Sequence, residues 1–67
     1  MSAEHKEDFY ELTVQSRSGT RVVRFSLYAD AMRAYDNAEL DGAISATVDR
    51  IQHTPHGMHR HLLAELA

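Results

Sequence analysis

No cysteine occurs in the chain, which removes disulfides, thiolate nucleophiles and every cysteine-based zinc or iron site at once. Proline occurs once, glycine three times and tryptophan never. No apolar run approaches the roughly 20 residues needed to cross a bilayer, and residues 1–8, MSAEHKED, are charged rather than signal-like. The expectation is a soluble, unprocessed and cytoplasmic protein with no membrane attachment. A basic excess is missing too: the net charge is −3, which disfavours nucleic-acid binding, because nonspecific affinity for polyanions comes from clustered Lys and Arg. What remains is ordinary for a small globular chain, with 43% hydrophobic and 25% charged residues in a length of 67. A chain this short buries only about 60% of its unfolded surface and has little stability to spare for a deep substrate pocket.

Two runs near the start alternate with period two. In FYELTVQ, Tyr10, Leu12 and Val14 alternate with Glu11, Thr13 and Gln15, and in RVVRFSLY, Val23, Phe25 and Leu27 oppose Val22, Arg24 and Ser26. The connector SRSGT supplies Gly19 for a positive-φ turn position, so the two runs read as a hairpin. Ser26 can then cap a helix whose apolar stripe is Leu27, Ala31, Ala34, Tyr35 and Ala38, ending near Leu40 at Asp41-Gly42. Residues 43–52 fit either a strand through Ile44, Ala46 and Val48 or a helix through Ile44, Val48 and Ile51; the β-branched content favours the strand. The helix then crosses to a third strand beside the first. One sheet face is covered by the helix, and the other carries Phe9, Glu11, Thr13, Val22, Arg24, Ser45, Thr47 and Asp49.

Four of the five histidines fall within nine residues, at His53, His56, His59 and His61. Thr54-Pro55 in that segment reads as an N-cap with proline at the first helical position. Met58, Leu62, Leu63 and Leu66 follow at helical spacing and imply an amphipathic helix that lids the core or joins two chains. On such a helix His56 and His59 lie on one side, the minority reading being a two-histidine metal site. The stronger reading is that the histidines are polar-face residues in the first turns of the helix, where the helix dipole discourages their protonation. Protonating all five would change the formal charge from −3 to +2, which keeps a pH-responsive oligomer open as an alternative.

The expected architecture is therefore α+β: β-β-α-β with a three-stranded antiparallel sheet in the order 2-1-3, one helix on one face and an additional C-terminal amphipathic helix. Residues 1–8 form a flexible tail, 9–52 the domain and 53–67 the His-rich start of the last helix. No nucleophile with an accompanying base, phosphate-binding glycine loop or divergent carboxylate pair is present, so no enzyme and no cofactor is expected. The better functional candidates are the arginines, Arg17 at the turn and Arg24 on the open face; pairing of such arginines with Glu11 and Asp49 across strands is the structural alternative.

Residues 9–52 resemble the family of small coliphage early proteins that bind and inhibit bacterial RNA polymerase. The resemblance rests on Phe9-Tyr10, the strand-turn-strand, Tyr28-Ala29-Asp30 opening the helix, and Val48-Asp49-Arg50-Ile51 ending the third strand. It implies a polymerase contact through two arginines of that strand, of which Arg50 matches the first and Gln52 stands at the second. The expected function is a non-enzymatic interaction module that docks on a larger host protein, with Phe9 as apolar anchor and Arg17, Arg24 and Arg50 as charged contacts, and with Met58, Leu62, Leu63 and Leu66 available for a homodimer.

Overall fold

A computed structural model describes residues 8–66. Strands β1 (Phe9–Ser16) and β2 (Gly19–Phe25) are followed by helix α1 (Tyr28–Leu40), and then by β3 (Ser45–Thr54) and β4 (Gly57–Leu66). All neighbouring strands pair antiparallel, in the order β2-β1-β3-β4. The expected three-stranded sheet with a C-terminal helix is thus corrected: the sheet has four strands, and residues 57–66 are its fourth. Of the expected flexible tail, residues 1–7 lie outside the described residues.

The difference originates at Thr54-Pro55. Threonine before proline opens a helix, but proline is also favoured at the second position of a type I turn with glycine at the fourth. Thr54-Pro55-His56-Gly57 is that turn. The His56 N–H donates to Thr54 Oγ1 at 3.2 Å, the Thr54 hydroxyl donates to the Gly57 carbonyl at 3.0 Å, and Gly57 takes φ +129°. The first hairpin is built the same way. Ser16-Arg17-Ser18-Gly19 places a hydroxyl opposite the Gly19 carbonyl at 3.3 Å and gives Gly19 φ +134°, a region where a side-chain-bearing residue is strained.

A second signal compounded the first. Val48 pairs with Ala64 and Asp49 with Leu62, so Leu63 has no partner on β3 and β4 is bulged there. A bulge shifts the period-two alternation by one residue. Met58 and Leu62 consequently lie on one face and Ala64 and Leu66 on the other, and the broken alternation imitates the four-residue steps of a helix.

The crossover from β2 to β3 lays α1 over the middle of the sheet, where it packs mainly on β1, β3 and β2. Ala31 and Ala38 are buried and let the helix approach closely, with Met32, Ala34 and Tyr35 packed around them against Leu12, Val14, Ala46 and Val48. Leu27, expected in the buried stripe, is the N-cap residue and exposed, and no side chain caps the helix, so the capping role expected of Ser26 is absent. The helix ends at Leu40, where Asp41 N–H donates to the Asn37 carbonyl. Ala64 and Leu66 of β4 also pack against the core, beyond the helix itself.

Candidate interaction surface

The sheet face opposite α1 has no covering element among the described residues, yet it contains buried charge. Glu11 on β1 lies directly opposite Asp49 on β3 and is also opposite Arg24 on β2. Two carboxylates in directly opposed positions repel, and both are only 8% exposed. Arg60 of β4 resolves the conflict: its Nη1 donates to Glu11 Oε1 at 2.9 Å and to Asp49 Oδ2 at 2.7 Å. Arg24 Nε donates to the other Glu11 oxygen at 3.3 Å. The four charges therefore form a strip across all four strands, with both carboxylates between the two guanidiniums. The Arg60 hydrogen bond holds the Glu11 carboxyl below its ordinary value, outweighing the opposing effect of burial, and Asp49 and then Glu11 raise the pKa of Arg60.

Next to this strip is an apolar end. Ile51, with Phe9 on one side and Arg60 on the other in the strand register, is 1% exposed. The Arg24 guanidinium sits 5.0 Å from the centre of the Phe9 ring, and that ring meets His53 at 6.0 Å. Arg24 thus joins a cation–π contact to an ion pair. Val22, Met58 and Leu62 lie on the same face by strand pairing and are each more than half exposed.

The sequence-derived contact residues do not form one surface. Phe9 and Arg24 come together on the open face. Arg17 is exposed in the β1–β2 turn. Arg50 points to the helix side of the sheet, where its Nη2 donates to Asp8, and its Nε is buried without a hydrogen-bond partner among the described residues. The expected cross-strand pairing of an arginine with Glu11 is met by Arg24, whereas Asp49 is met by Arg60, a residue the helical reading gave no role.

The histidines spread over the second hairpin. His56 occupies its turn, His53 is on the open face, and His59 and His61 stack at 6.4 Å on the other face of β4. The helical spacing that paired His56 with His59 is absent, and no group of three or more potential metal ligands forms among the described residues. A cleft of about 340 Å³ lies between the first hairpin and the C-terminal end of α1, lined by Ser16, Ser18, Arg21 and Asp41 among others. The Ser16 hydroxyl in it is engaged with the Ser18 hydroxyl and the Gly19 carbonyl. No helix among the described residues is long and apolar enough to cross a membrane. No protein-family model, curated protein or solved structure matches the chain.

Proposed function

We infer that the chain is a small non-enzymatic docking module that binds a larger protein through the open face of its sheet. The observation that carries this reading is the Phe9–Arg24 pair, held beside a charge strip on a face with no covering element among the described residues. Aromatic and arginine side chains dominate the energetics of protein interfaces. Here they are pre-positioned: Glu11 holds Arg24, Arg24 lies over Phe9, and little side-chain freedom is lost on contact. Val22, Met58 and Leu62 supply the surrounding apolar area.

The family resemblance makes a bacterial RNA polymerase the first partner to try. The test is capture from bacterial lysate, and binding to purified polymerase, by the wild type, a Phe9→Ala, Arg24→Glu variant, an Arg50→Glu variant and an Arg17→Glu control. Loss in the Phe9, Arg24 variant with retention in the other two supports the open face. Identical partners in all four, or no partner for the wild type, overturns it. Loss on Arg50→Glu alone moves the contact to the helix side of the sheet.

A further inference from the structure

The two edges of the sheet differ in how they are finished. β2 is seven residues long, carries Arg21 and Arg24, and is touched by α1. β4 is ten residues long and pairs with β3 on one side only, so the backbone donors and acceptors of its other side have no strand partner among the described residues. Neither edge strand contains proline or lysine, the usual residues that blunt an edge, but the helix packs chiefly on β1, β3 and β2 and so shields only the β2 side. Its apolar exposure is also greater: Met58 and Leu62 are each 57% and Leu63 42% exposed, against Val22 alone on β2.

We propose that β4 is a homotypic edge, on which the β4 strands of two copies pair antiparallel about a two-fold axis at Leu62-Leu63 and extend each four-stranded sheet into one of eight. The register follows from face and charge. An isologous interface must match every residue to a partner on its own face, and the bulge at Leu63 reverses the face alternation halfway along the strand. With the axis at the bulge, Arg60 falls opposite Glu65 of the second copy and His61 opposite Ala64, each pair face to face by their partners on β3, and Leu62 meets Leu63 at the axis. The strand is complementary to itself in that arrangement. Its first half carries Arg60, and its second half carries Glu65, which makes no hydrogen bond or ion pair with another described residue. By symmetry the Arg60–Glu65 match occurs twice. The β4 edge borders the Phe9–Arg24 face and shares Met58 and Leu62 with it, but the two readings are separable: partner capture reads the face, and the mass of the chain alone reads the edge.

The experiment is sedimentation equilibrium of the full chain over a wide concentration range. The wild-type mass is expected to rise from monomer to dimer. Glu65→Lys places a cation opposite Arg60 twice and is expected to weaken association about tenfold or more, taking a few tenths to 1 kcal/mol for each cross-strand charge pair. Val22→Lys, on the opposite edge, is expected to leave it unchanged. Because the chain has no cysteine, mixing His61→Cys with Ala64→Cys chains under mild oxidation provides a second reading: a mixed disulfide exceeding either self-disulfide supports the register even if Glu65→Lys fails to fold. A wild type that stays monomeric, equal weakening by Glu65→Lys and Val22→Lys, or self-disulfides that match the mixed one overturns the proposal.

Discussion

On the helix side of the sheet, Leu12, Val14, Ala46 and Val48 exclude water with aliphatic side chains backed by the alanines of α1, whereas on the open side Glu11 and Asp49 are buried under Arg60 and beside Arg24. Both faces belong to the same strands and share the same backbone ladder. The difference shows how a small domain with one helix handles a second face: the core goes where the helix is, and the other side is closed by long arginine side chains whose aliphatic stems cover surface while their heads remain half in water. The first arrangement is a stability device. The second is stabilised less and depends on ionisation.

The comparison is tested first where the effect should be greatest. Leu12→Ala removes a side chain that is 2% exposed and is expected to cost about 3 kcal/mol in urea unfolding, the middle of the range for core leucines. Arg60→Ala, on the open face, leaves two facing carboxylates without their shared donor and is expected to cost about 1–2 kcal/mol at neutral pH. The Arg60 side chain is 54% exposed, so solvent screening keeps the loss well below that of a fully buried ion. If Arg60→Ala costs as much as Leu12→Ala, the two faces are not different in kind.

Acid provides a sharper separation. Because the folded-state pKa of Glu11 is depressed, its contribution is fully present above the ordinary glutamate value of 4.5 and is lost as pH falls through the lower, folded value. Wild-type thermal stability should therefore decline in that acid range, and the Arg60→Ala difference should shrink with it, since a protonated Glu11 no longer repels the carboxylate opposite it. The Leu12→Ala difference should hold. Thermal unfolding of the three proteins from pH 7 down to pH 3 checks both expectations. The smallest effect belongs to Arg24→Ala: its side chain is 69% exposed, and a loss of about 0.5 kcal/mol is expected. A larger loss would mean that the contact with the Phe9 ring contributes more to folding than the ion pair does.

Much of this arrangement is legible in residues 9–52. Period-two alternation marks β1 and β2, the alanine stripe marks α1, and the β-branched residues of 43–52 favour the strand that forms. The open-face residues from Phe9 to Asp49 also follow from that alternation. The fourth strand was hidden by two signals with equal standing in another structure: threonine-proline opens helices as well as type I turns, and a bulge gives leucines helical spacing. Arg60 was missed with it, because its role exists only when residue 60 lies opposite Ile51 and beside Asp49. One clue was present. Ser16-Arg17-Ser18-Gly19 and Thr54-Pro55-His56-Gly57 share a hydroxyl at the first position and glycine at the fourth, so reading the first as a hairpin turn argued for the same reading of the second.

The bulge has a consequence for the length of the chain. Leu63 is the residue of β4 without a partner on β3, so removing it leaves Leu62 opposite Asp49 and Ala64 opposite Val48 in an uninterrupted ladder, and every other side chain keeps its face. A one-residue deletion elsewhere in a strand, at Thr13 for example, slips the register and turns all residues on one side of it to the wrong face. Deletion of Leu63 should therefore fold with near-normal backbone amide protection by hydrogen exchange, while deletion of Thr13 should not fold. Chain length in the sheet is negotiable at that leucine.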